Sequence, residues 1–309
     1  MSERIYGEFR RPRQMLADQE YDGHLSIHDD EMAENLGFAG APIEGPTHFS
    51  QFVHLCQGHF GDAWFSQGCI SAHYQNMVVE GEEVRAFIEP QADGRLVIGA
   101  EKRDGTPVLT GTASVGPDYG ETEIERRMSR LRPADQLVIL SELEVGQEGA
   151  GNPESAVMGF DQHMGDLYPF TLSGKLSVIT EPHSWYTPDG AGNSPWGRPV
   201  IPMEMISVLA QYTSRLSGFK TRGPAVGLFA GQEIRMIDGP LFVDQPYVLD
   251  REIIALSESR RTESNWIRTT IRDADDGRVV AEMILNSATM KASYASYEAD
   301  AKSLGKVLD

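Results

Sequence analysis

Two short stretches of this 309-residue chain hold the side chains best suited to moving protons. The first, Asp22-Gly23-His24-Leu25-Ser26-Ile27-His28-Asp29-Asp30, sets carboxylates and imidazoles in one loop, and these are the residue types that exchange protons with water near neutral pH. The second is Glu44-Gly45, an acid and a glycine where a Gly/Pro-rich loop meets an apolar helix. Each also has a plain structural explanation. Asp22 fits a turn residue or a cap, His28 a surface histidine near a helix start, and Glu44 an acid drawn to a helix N-terminus by its dipole. His48 and Glu204 occupy equivalent first-turn positions on two helices, off the apolar stripe, where they could face a pocket or each other. Arg198, beside the second helix entrance, could meet a phosphate or form a structural ion pair. His163, Trp185 and Tyr186 read as packing and lid residues. Cys56 and Cys69 have neither metal-ligand spacing nor a disulfide framework around them, so they read as small buried hydrophobes.

The elements that must position these groups announce themselves by repetition. The segment from Gly40 to Gly61, GAPIEGPTHFSQFVHLCQGHFG, has Phe49, Phe52, Val53, Cys56 and Phe60 at helical spacing, with Pro46 where a first-turn proline costs nothing. From Gly197 to Gly218 the positions Met205, Val208, Leu209, Tyr212 and Leu216 repeat that face, with Pro202 ahead of them, all displaced by 156 residues. A shared offset over a whole amphipathic face implies two copies of one unit.

Each helix is followed by a change of period. Gly68 to Glu80, Glu83 to Pro90, Leu96 to Lys102 and Pro107 to Val115 are rich in β-branched and aromatic residues, and Asp93-Gly94 and Asp104-Gly105 mark hairpins between them. The second half repeats the pattern at Val226 to Ile237, Pro246 to Ala255, Trp266 to Arg272 and Val279 to Ala288, with Asp276-Gly277 as its turn. A short helix is expected over Asp30 to Leu36, stopped by Gly37, and a charged one over Glu121 to Leu131. Residues 117–171 read as a connection between an N-terminal unit, 1–116, and a C-terminal unit, 172–309, whose tail from Ala292 reads as a surface helix. A helix followed by an antiparallel meander must bury its apolar face on that sheet.

Composition narrows the function classes. With 46 acidic against 27 basic residues the net charge is -19, which would repel a phosphate backbone, so no nucleic-acid partner is expected. An anionic small ligand is compatible, because local arginines and helix N-termini decide its binding. No run approaches the length of a membrane span and the N-terminus carries charges where a signal peptide needs apolar residues, so a cytoplasmic protein with no membrane partner is expected.

The short helix ending in LGFAGAP, the junction IEGPTHFSQF and the segment VVEGEEVRA, in order and partly in duplicate, resemble the MaoC-like, (R)-specific enoyl-CoA hydratase superfamily. The resemblance covers roughly Tyr21 to Val115 and, more weakly, Leu172 to Ala288. It implies an α+β double hotdog: two antiparallel sheets, each wrapping a long central helix and joined edge to edge. Hydratases of that superfamily carry an aspartate and a histidine that hold and deprotonate water, then a His-Gly pair whose backbone N–H at the helix start stabilises charge on the thioester oxygen. Carried onto this chain, the aspartate falls on Asp22 and the histidine position on Ile27, with His28 next to it and His24 nearby. Glu44 stands in place of the histidine of the His-Gly pair, and Gly45 keeps the glycine. The second half lacks the motif: His183 and Asp189 occur in reverse order.

The resemblance therefore implies a hydratase or dehydratase acting on an enoyl or 3-hydroxyacyl thioester. Asp22 and His28 would be its acid/base pair and Gly45 its oxyanion donor; His48, Arg198 and Glu204, by their own positions at the helix starts, are the candidate substrate-binding residues. The partner would be an acyl-CoA or acyl-carrier thioester, with coenzyme A as part of the substrate, no metal or redox cofactor, and a homodimer compatible with the sequence. Two alternatives stand beside it: a thioesterase in which Glu44 activates water or attacks the acyl carbon, and a non-catalytic hotdog protein that binds an acyl ligand.

Overall fold

The computed structural model describes residues 3–21, 24–132, 134 and 136–307, with 24 and 25 as backbone only. Twelve strands are present among the described residues: β1 (Ile5–Tyr6), β2 (Glu20–Tyr21), β3 (His24–Leu25), β4 (Gly68–Tyr74), β5 (Val84–Pro90), β6 (Leu96–Lys102), β7 (Pro107–Val115), β8 (Glu154–Ala156), β9 (Gly227–Met236), β10 (Tyr247–Glu258), β11 (Thr262–Asp273) and β12 (Val279–Met290). β2 and β3 form a small ribbon, and the other ten make one antiparallel sheet in the order β1-β5-β6-β7-β4-β9-β12-β11-β10-β8. The expected repeat is visible in that order: β5-β6-β7-β4 in the first half mirrors β10-β11-β12-β9 in the second. The expected two sheets are one continuous sheet, because β4 and β9 pair directly from Cys69↔Arg235 to His73↔Gly231.

The strands follow from their sequences. β5 alternates buried and half-buried residues, as a strand with one face on a core must. Gly94, Gly105 and Gly277 sit at φ of +83°, +85° and +75°, the left-handed conformation that an Asp-Gly hairpin turn requires.

The first long helix is not uniform. It begins as a 3-10 helix over Gly45–Phe52 and becomes α-helical over Val53–Phe60. The second is α-helical over Met203–Gln211 and then tightens to a 3-10 turn over Ser214–Ser217. That break turns Leu216 out to solvent, 59% exposed, so the apolar face read from spacing ends one turn early. The 45–52 helix packs against the 203–211 helix and against β5 and β9. Phe49, Phe52, Met205, Leu209 and Ile234 belong to a single core that crosses from one half to the other.

Residues 117–171 do more than connect. Glu123–Met128 forms a helix with a Thr122/Glu125 capping box, and β8 extends the sheet edge beside β10. Val138, Ile139 and Leu140 lie in turns rather than in a regular element, and they form a second core with Ile253, Tyr297 and Ala301. The tail helix, Tyr297–Ser303, is thus anchored rather than superficial. The Tyr297 hydroxyl donates to the buried Glu263 carboxylate at 2.9 Å, which also accepts from the Val138 and Leu140 N–H groups. Among the described residues no helix is long and apolar enough to cross a membrane.

Candidate active site

A cavity of about 560 Å3 opens between the two halves. Its near wall comes from the loop ahead of the first long helix: Gln19, Ile27, His28, Pro42, Glu44 and Gly45, with His48 and Tyr74 beside them. Tyr168 and Gln211 line it from the second half of the chain, and β9, β11 and β12 supply the opposite wall.

His28 owes its position to the Asp30–Asn35 helix, which Asp29 caps by accepting from the Met32 N–H. The His28 ring then turns toward the loop, where Nδ1 lies 2.7 Å from the Pro42 carbonyl oxygen. A carbonyl only accepts, so Nδ1 carries the proton and Nε2 is the basic nitrogen. Gln14 Nε2 is 3.3 Å from the same Nδ1, but it donates to the Pro42 oxygen at 2.9 Å and so fixes the acceptor rather than competing for the ring. Burial lowers the His28 pKa to about 4, against which the Pro42 hydrogen bond works. At neutral pH His28 is therefore an uncharged base.

Glu44 is the opposite case. Burial raises its pKa to about 7; Lys175 pulls it down, Glu204 pushes it up, and a side-chain contact with Tyr168 favours the charged form. Its side chain makes no helix-capping hydrogen bond, so capping does not account for this acid. Gly45 opens the helix, where a first-turn N–H has no intrahelical acceptor. A Cβ at this position would lie 2.5 Å from the Tyr74 ring, so only glycine fits. Tyr74 is held by stacking on Phe49, with ring centroids 6.2 Å apart, and by a hydrogen bond to Gln232.

The remaining residues singled out in the sequence separate. His48 lines the cavity and is buried, its Nδ1 has no partner among the described residues, and burial lowers its pKa to about 4. Glu204 does not line the cavity. It is 2% exposed between the two helices, with Lys175 Nζ 3.7 Å from its Oε2, and burial raises its pKa to about 7. Arg198 is also elsewhere: it is exposed, lies over the Phe242 ring and donates to Gln245 at 3.0 Å. Asp22 lies outside the described residues, as does the His24 side chain. Trp185 and Tyr186 are core residues, and the His163 Nδ1 accepts from the Gly165 N–H.

Lys175 and Tyr168 went unnoticed in the sequence. Lys175 is 5% exposed and donates to the Thr47 hydroxyl at 3.1 Å, so a cation from the second unit sits under the first helix. A lysine among Phe170, Leu172, Leu176, Val178 and Ile179 was the available signal, since lysine is rarely buried unless paired.

At the level of sequence, no family model and no curated protein matches this chain. Solved structures do match. A chain from Chloroflexus aurantiacus J-10-fl assigned to the MaoC domain dehydratases superposes with a TM-score of 0.58 at 13% identity, over 94% of this chain and 95% of that one. A MaoC-like dehydratase aligns at 14% identity and a TM-score of 0.49, over 92% and 97%. RV0216 from Mycobacterium tuberculosis, which has a double hotdog fold, aligns at 11% and 0.49, over 85% and 86%. What is shared at these identities is the fold, and it is the hotdog-type fold of MaoC-like proteins.

Proposed function

We propose that this protein hydrates an enoyl thioester, or dehydrates the corresponding 3-hydroxyacyl thioester. The observation that carries the reading is the presence, in one cavity, of a neutral His28 whose Nδ1 is committed to Pro42 and a Glu44 carboxyl that keeps its proton up to about pH 7. Two titratable groups pushed apart in this way are suited to acting as base and acid in one reaction.

In the hydration direction, His28 Nε2 takes a proton from water as its oxygen bonds to the β-carbon. The double-bond electrons move toward the thioester oxygen, where the Gly45 N–H is the assigned donor. Glu44 delivers its proton to the α-carbon, and transfer from the imidazolium to the carboxylate restores both groups. Asp22, the partner that the resemblance assigns to His28, would orient the water. The chain holding the acyl group is a coenzyme A or carrier-protein thioester.

A thioesterase with Glu44 as nucleophile fits less well, because a carboxyl protonated near neutral pH is a poor nucleophile. The test is hydration of a short enoyl-CoA followed at the enoyl absorbance in wild type, Asp22→Asn, His28→Ala and Glu44→Gln. Loss of turnover by a factor of about a hundred or more in His28→Ala and Glu44→Gln is expected. Wild-type rates in Asp22→Asn and His28→Ala would dispose of the assignment. Thiol release lost only in Glu44→Gln would favour the thioesterase, and ligand-dependent thermal stabilisation without turnover would favour a binding protein.

A further inference from the structure

The wall of the cavity formed by the C-terminal sheet has an unusual chemistry. β11 and β12 pair Asn265 with Ser287 and Ile267 with Leu285, and Thr289 follows Ser287 by two residues, so all five share one face. All five line the cavity, as does Gln211 from the end of the 203–211 helix. Asn265 and Gln211 are each 8% exposed; the Gln211 Nε2 is buried without a partner, and the Asn265 carboxamide makes no side-chain hydrogen bond among the described residues. Buried amides are normally satisfied, and leaving them unpaired is destabilising.

The contrast with Glu263, two residues from Asn265 on the same strand, is direct. Its carboxylate is saturated by Val138, Leu140 and Tyr297. The Asn265 and Gln211 carboxamides, which line the cavity, have no such donors or acceptors among the described residues. The wall is also uncharged. Arg215 is the only lysine or arginine lining the cavity among the described residues, and it already donates to the Glu20 carbonyl and pairs with Asp166.

We propose that this wall binds neutral hydrogen-bonding groups, hydroxyl or amide, on the part of the ligand that lies against the C-terminal sheet, and so selects against a plain alkyl chain there. β4, which carries Tyr74, is three strand spacings from β11, roughly 14 Å, so the contact is remote from the reacting carbons. The inference rests on the thioester reading for the ligand's identity, though not for the wall's polarity. Two sources carry that chemistry: a polar acyl substituent, or the amide-bearing pantetheine arm.

The experiment compares dissociation constants of octanoyl-CoA, its terminally hydroxylated counterpart and free pantetheine for wild type, Asn265→Leu and Gln211→Leu. A roughly tenfold preference for the hydroxylated compound, abolished in the leucine variants, identifies the acyl substituent. Equal, roughly tenfold weakening of both acyl-CoAs and of pantetheine in the variants identifies the arm. Unchanged affinities in both variants overturn the proposal and leave the wall to ordered water alone. If no thioester binds, the thioester reading has failed and the wall is judged separately. Octanediol or octanamide should then shift the side-chain amide resonances of Asn265 and Gln211, and no shift overturns it. The melting temperature of Asn265→Leu should not fall, because an unpaired amide is replaced by an apolar group; should that variant not fold, Gln211→Leu carries the test.

Discussion

Replacing Glu44 by glutamine should stabilise the protein above neutral pH, which is the reverse of what removing a surface acid at a helix start would do. The sign follows from the direction of the shift. Glu44 has a folded pKa of about 7 against an ordinary 4.5, so between those values the folded state holds a proton that the unfolded chain has released. Stability from this group is therefore present below about 4.5 and is lost as pH rises through 7. The gap corresponds to about 3 kcal/mol at most, of which about 2 kcal/mol should disappear between pH 5 and pH 8. Wild type will not display this plainly. His28 and His48, with pKa values lowered to about 4, run the other way and lose stability as pH falls below 6.5, while Glu204 runs with Glu44. Subtraction exposes it: urea unfolding of wild type and Glu44→Gln near pH 5 and pH 8 should show the variant gaining about 2 kcal/mol relative to wild type across that interval. Equal pH dependence in the two proteins, or a variant less stable at pH 8, would refute the burial argument.

Three further outcomes are expected. Gly45→Ala should abolish activity and lower stability by about 1–3 kcal/mol, since its methyl group must displace the Tyr74 ring; calorimetry together with turnover checks both. Lys175→Met removes the cation that lowers the pKa of both Glu44 and Glu204, so it should be more destabilising at pH 8 than at pH 5, as denaturant titrations at the two values would show. Phe49→Ala deletes a fully buried ring that stacks on Tyr74, and should cost about 3–5 kcal/mol in unfolding free energy.

The architecture was legible because it is written in local patterns. Asp-Gly turns, alternating strands and a repeated amphipathic face act over a few residues, and β6 and β7 fall on the boundaries read from sequence. The edge-to-edge joining came from the resemblance alone, and which strands make it was not legible, because the pairing of β4 with β9 leaves no signature in either strand alone. Nor was the break after Gln211, since spacing that suits an α-helix does not specify where it tightens.

The site shows the same division. His28, Glu44, Gly45 and His48 could be picked out by type and position, and the fold brings them to one cavity. Arg198 could not be placed without knowing that Phe242 and Gln245 would claim it. Lys175 and Tyr168 are distant from Glu44 in sequence, and their influence on it depends wholly on tertiary packing.

The most direct test of the central claim is the pH dependence of kcat/KM for enoyl-CoA hydration. With His28 as base and Glu44 as acid the profile should be bell-shaped, with an acid limb near 4 and an alkaline limb near 7, and Glu44→Gln should remove the alkaline limb along with most of the rate. A profile unchanged in shape and height in His28→Ala and Glu44→Gln would contradict the account.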